Sequence, residues 1–136
     1  MPPGFRAPRV VMPGVLAIEA PKFSSPDSRA DLQRFCREYS DRSAAAFPLI
    51  TLVDDSEFAA RSLNNWLWVT FTRSNPAADL DGIDSDVVDK HGGCRGAVVI
   101  DARLKPHHAP PLVEDPQVTA KVDARAARGG TLGQYL

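Results

Sequence analysis

The chain has 136 residues, 43% of them hydrophobic and 24% charged, with a formal net charge of −1 and an isoelectric point near 6.3. This is enough apolar material for the core of one domain, which argues against wholesale disorder. It offers no basic field for nucleic-acid binding, and no apolar run approaches the ~20 residues a membrane-spanning helix needs.

The first fourteen residues, MPPGFRAPRVVMPG, are rich in proline and carry Arg6 and Arg9. They lack the continuous apolar segment of a signal peptide, so export is not expected. Residues 1–14 read as an extended arm of a kind that commonly lies on a partner. The two cysteines, Cys36 and Cys94, do not make a disulfide framework at this length. Reduced thiols and a cytoplasmic location follow as the expectation.

A short apolar run at residues 15–18, bounded by Gly14 and Pro21, predicts a buried strand. A helix should follow, with Ser25 as N-cap and Pro26 in the first helical position. Leu32, Phe35, Cys36 and Tyr39 recur at i, i+3, i+4 and i+7, which places them on one face. Residues 47–53 are almost continuously apolar and predict a second strand covered on both sides. Strand, helix and strand in this order predict a βαβ-like unit with parallel pairing.

Asp54 and Asp55 end the second strand, and a short helix over 56–64 should begin there. Either carboxylate can cap its free N–H groups. Paired carboxylates at a strand end could also serve catalysis or a metal. Residues 66–72 are rich in β-formers and predict a third strand, followed by a turn over 73–82 around Asn75-Pro76. A fourth strand is expected at 97–102. Four prolines between 105 and 116 exclude helix or central strand there, and a terminal helix should occupy 117–128.

The series Asp79, Asp81, Asp84, Asp86, Asp89 resembles a calcium loop only superficially. Counting from Asp79, the glycine falls fourth instead of sixth and no glutamate closes the loop, so a solvated acidic loop is the expectation. His91, Cys94, His107 and His108 match no zinc-ligand spacing. Cys94 as a nucleophile would need a base and an oxyanion site; His91 lies close in sequence, but no helix N-terminus clearly follows it. Trp68 and Phe71 lie in the aromatic segment. Arg73 at its end could hold a carboxylate through two parallel hydrogen bonds, or pair with one of the nearby aspartates.

Several separated motifs occur in one order: Val53-Asp54-Asp55, Asn64-Asn65-Trp66-Leu67-Trp68 leading to Thr72-Arg73, the Pro76/Asp79 turn, and Ile100-Asp101-Ala102-Arg103-Leu104-Lys105-Pro106. Over about residues 49–121 they resemble the C-terminal domain of the UbiD-like aromatic acid decarboxylases. The resemblance implies a single α/β domain over 15–104, with a mixed or mostly parallel sheet and flanking helices. It would be flanked by the arm 1–14 and by a proline-rich segment and helix over 105–136.

Members of that family carboxylate or decarboxylate aromatic, heteroaromatic or α,β-unsaturated acids. They use prenylated flavin mononucleotide held with a divalent metal and potassium by an N-terminal domain that has no counterpart here. By the resemblance, this chain holds no cofactor, metal or catalytic residue of its own. Its partner would be a larger UbiD-like catalytic chain that bears the flavin, in a hetero-oligomer acting on an aromatic acid or phenol. Trp68, Phe71, Thr72 and Arg73 become candidates for a cleft wall or domain interface. The implied role is an accessory subunit, natural rather than a fragment and not active alone. The alternative is a non-catalytic assembly or regulatory module of the same fold.

Overall fold

The structure, a computed structural model, describes residues 1–24, 26–39, 46–89, 91–109, 114–133 and 135. Its first element is a strand, β1 (Arg6–Met12), which turns through Pro13 and Gly14 into β2 (Val15–Glu19) and pairs with it antiparallel. Gly14 sits at φ +85°, a conformation that costs a residue with a side chain and not a glycine. The stretch expected as an arm is therefore extended, but over half of its length it is the edge strand of the chain's own sheet. Pro2, Pro3 and Pro13 flank the strand, and Pro8 lies within it where the pairing shifts register between Arg6 and Arg9, both places an edge strand tolerates proline.

A short 3₁₀ turn (Pro26–Arg29) leads into α1 (Ala30–Glu38), which has no side-chain N-cap. The helix thus begins four residues later than the proline placed it, and Ser25 lies outside the described residues. Its apolar face is as the periodicity predicts: Leu32, Phe35, Cys36 and Tyr39 are all buried. The chain then enters β3 (Leu49–Val53), parallel to β2 with Val15 opposite Leu49 and Glu19 opposite Val53.

Two helices follow, α2 (Ser56–Ala60) and α3 (Leu63–Arg73). The segment expected to be a third strand is thus helical. Ser62 caps α3 by accepting a hydrogen bond from the Asn65 N–H at 3.2 Å. Trp66, Val69 and Thr70 fall at i, i+3 and i+4 and are buried against the sheet. The indole N–H of Trp66 donates to Thr51 Oγ1 on β3 at 3.0 Å, an anchor that a strand in this position could not make. Tertiary packing here overrides the β preference of the side chains.

The expected turn contains β4 (Leu80–Gly82), which is followed by a hairpin, β5 (Ser85–Val88) and β6 (His91–Cys94), in place of a solvated acidic loop. A Cβ at Gly82 would collide with the Cys94 side chain, so this crossing requires glycine. Last in the sheet comes β7 (Val98–Asp101), parallel to β3 and antiparallel to β4. The order β1-β2-β3-β7-β4 makes a mixed five-stranded sheet. A terminal helix, α4 (Pro116–Ala126), is capped by Asp115 and buries none of its residues.

Alternation along β2 and β3 sends Leu16, Ile18, Ile50 and Leu52 to one face, beneath Phe35 and Leu32 of α1. Ala17 and Val53 go to the other, beneath Ala59 of α2 and Val69 of α3. Both faces of the parallel strands are covered, which accounts for their continuous apolar character. The fold is a mixed α/β domain, and no helix among the described residues is long and apolar enough to cross a membrane.

A buried ion network as the candidate functional site

Beyond the last residue of β7 the chain reads Ala102-Arg103-Leu104-Lys105, and its two cations point inward. Arg103 is completely buried and Lys105 almost so, positions charged side chains occupy only when paired. Arg103 binds Asp101 through two parallel hydrogen bonds, Nε to Oδ1 at 2.9 Å and Nη2 to Oδ2 at 2.7 Å. Its remaining donors reach Asp31 Oδ2 on α1 at 2.9 Å and the carbonyls of Pro21 and Ser28. Burial works against its charge, but the Asp101 and Asp31 carboxylates outweigh it and raise its pKa above the ordinary arginine value.

Lys105 Nζ lies 3.3 Å from Asp79 Oδ2 and donates to the carbonyls of Arg73, Asp101 and Arg103. Both cations also face the ring of Phe23, at 5.1 and 5.8 Å from its centroid. The network joins the ends of β2, β3, β7, α1 and α3 at one place. In open α/β sheets this end of the parallel strands is where ligands gather.

The two aspartates expected as caps do different things. Asp55 is the N-cap of α2, accepting from the Phe58 N–H at 2.8 Å. Asp54 caps no helix; its Oδ2 accepts from the Leu104 N–H at 2.7 Å and from Arg73 Nη1 at 3.1 Å. Arg73 therefore already has a carboxylate, and its guanidinium lies 5.2 Å from the Trp68 ring centre. Thr72 turns its hydroxyl back to the Trp68 carbonyl at 2.6 Å. Trp68 and Phe71 stand out from α3, 51% and 67% exposed, beside Leu63 and Leu67. Of the four residues expected at a cleft or interface, the structure thus gathers all on one helix, with Trp68, Phe71 and Thr72 exposed and Arg73 half-buried against Asp54.

The carboxylates near the strand ends do not suit a divalent metal. Asp31, Asp54, Asp79 and Asp101 are each held by arginine or lysine, and no group of three potential ligands converges among the described residues.

Cys94 has its Sγ 3.5 Å from the Gly96 carbonyl. Cys36 is buried beneath the sheet, and burial pushes its pKa up to about 12. With iodoacetamide near pH 8, Cys94 is expected to be alkylated in the folded protein and Cys36 only after denaturation. Peptide mass spectrometry would read this directly, and rapid labelling of both would contradict the packing of α1. His108 accepts from the Lys105 N–H through Nδ1 at 3.1 Å. Desolvation, with His107 and Lys105 nearby, lowers its pKa and favours the neutral ring this bond requires.

The fold and network define a small mixed α/β domain organised about the carboxyl ends of its parallel strands. No family profile matches the chain. It is 35% identical over 80 residues to a 4-hydroxybenzoate decarboxylase subunit of Chlamydia pneumoniae, an alignment covering 59% of this chain and 14% of that protein. A protein of Chlamydia trachomatis described as uncharacterized is 35% identical over 75 residues, or 55% of this chain and 13% of its own. Vanillic acid decarboxylase of Sedimentibacter hydroxybenzoicus in its open form superposes with a TM-score of 0.47 and 17% identity, over 79% of this chain and 25% of that one. The chain is homologous to a segment of a decarboxylase subunit, in keeping with the UbiD-like resemblance of its motifs. It spans about a seventh of the length of the relatives it matches.

Proposed function

We propose that this chain serves as the accessory part of a UbiD-like aromatic acid carboxylase or decarboxylase. It would complete the substrate cleft and oligomer of a larger cytoplasmic partner that holds prenylated FMN with its divalent metal and potassium. The observation that carries this reading is the 35% identity to part of a decarboxylase subunit. The exposed aromatic face of α3 supports it, since a lid or docking domain needs an apolar surface that excludes water.

A second reading is a pure assembly or regulatory module. It is favoured by the ties of Arg73 to Asp54 and of Thr72 to its own helix, which already engage both groups within the domain.

Native mass spectrometry of the tagged chain, purified gently from its own host, tests both readings. A complex with a chain of several hundred residues bearing a flavin mass is the expected result, while a lone monomer or homo-oligomer without flavin would overturn it. In that complex, loss of turnover with Arg73→Ala while assembly persists supports the cleft role. Unchanged turnover supports the assembly module.

A further inference from the structure

Beside the ion network, a crevice of about 540 Å³ opens at the carboxyl end of the β2–β3 pair, lined by Gly4, Phe5, Arg6, Pro21, Lys22 and Asp54. Its volume is in the range of small-ligand sites. Phe5 is buried and gives it a fixed wall, packed on Phe35 with ring centres 4.9 Å apart. Gly4, at φ +85°, lets the backbone fold against Pro21 to shape the opposite side.

The polar groups on this crevice are not exhausted by the fold. Lys22 is exposed and makes no ion pair among the described residues. Arg6 uses Nε to reach Glu19 at 2.8 Å, while its two terminal nitrogens make no hydrogen bond among the described residues. Asp54 holds Leu104 and Arg73 through Oδ2 alone, so Oδ1 carries no hydrogen bond among the described residues. Two cationic donors and one carboxylate acceptor thus line one cavity.

We infer that this crevice binds a small oxyanion that also carries a proton, with hydrogen phosphate the best match. Its oxygens would accept from Lys22 and Arg6, and its P–OH would donate to Asp54 Oδ1. Sulfate has the same size and charge but no proton near neutral pH, so the Asp54 carboxylate would repel it. The cations confer affinity and the carboxylate confers selectivity.

The test is an NMR titration of the full chain with inorganic phosphate, sulfate and methyl phosphate, following the backbone amides of Arg6, Lys22 and Leu104. Saturable shifts with phosphate, and sulfate at least about tenfold weaker, are expected. Lys22→Ala, a surface change that leaves the fold intact, should weaken phosphate by about tenfold. Asp54→Asn should bring phosphate and sulfate within about twofold of each other. Methyl phosphate matching inorganic phosphate at pH 6 would assign the site to phosphate esters, and a response to inorganic phosphate alone would assign it to the free ion; either supports the inference. Equal binding of phosphate and sulfate by the unaltered chain, indifference to Lys22→Ala, or no saturable shift up to about 10 mM phosphate overturns it.

Discussion

Asp101→Asn is expected to lower the free energy of unfolding by about 3–5 kcal/mol, the range for removing one partner of a buried charge pair. The loss is large because the replacement does more than delete a charge. Arg103 donates to both oxygens of Asp101, so an amide nitrogen in either place would face a donor. Asp31 and Asp79 would remain to balance Arg103 and Lys105, at the far sides of their head groups. A domain of this size is typically stable by about 5–15 kcal/mol, so the variant should stand near its folding threshold. Urea denaturation followed by tryptophan fluorescence measures the change, and a loss under about 1 kcal/mol would show that the network does not hold the strand ends.

The same argument predicts strong non-additivity. Asp101→Leu together with Arg103→Met removes both charges of the tightest pair and leaves Lys105 with Asp79. Because apolar replacement of a whole buried pair is often neutral or better, the double variant should recover more than half of the loss shown by either single change. What it would not recover is geometry. Arg103 ties the Pro21 and Ser28 carbonyls and Asp31 to the end of β7, and Lys105 ties the Arg73 carbonyl at the end of α3 to the same point. The network fixes how the helices on the two faces of the sheet meet at its carboxyl edge. That edge forms part of the crevice around Asp54.

Much of this arrangement was legible before the structure, and the parts that were not have physical causes. The strand–helix–strand unit was readable because Leu32, Phe35, Cys36 and Tyr39 keep a helical period and residues 49–53 are apolar without break. The α3 segment was misread because Trp66, Val69, Phe71 and Thr72 are strand formers by type. Ser62 at its start and the 66/69/70 spacing were the signals that outweigh type, since only a helix puts those three residues against Thr51 and its neighbours. The β5–β6 hairpin was hidden by its aspartates and glycines, which favour loops when read locally. At the site, Asp54 and Arg73 were singled out, yet their pairing spans nineteen residues and no local pattern specifies it. The buried cations were overlooked for a related reason: Lys and Arg are normally exposed, and composition carries no hint of exceptions. Asp101, Arg103 and Lys105 at a spacing of two, running out of the end of a buried strand, were the available sign.

Phe71→Ala should have opposite consequences in the free chain and in a complex. Alone, the side chain is 67% exposed and touches Trp66 only edge-on, with ring centres 6.2 Å apart. Alanine is also the better helix former, so the free domain should change by no more than about 0.5 kcal/mol. If α3 docks on a larger partner chain as proposed, Phe71 and Trp68 are the large apolar groups such an interface would bury. Truncating a buried aromatic anchor commonly costs about 2 kcal/mol or more, so the complex should dissociate about 30-fold more readily. The paired measurement is thermal unfolding of the isolated chain and affinity for the co-purified partner, each with and without the substitution. A stable variant that no longer binds would place the interface on α3. A variant that binds as tightly as the unaltered chain would move it elsewhere, with the uncovered helix α4 and its exposed Val118 and Val122 the next surface to alter.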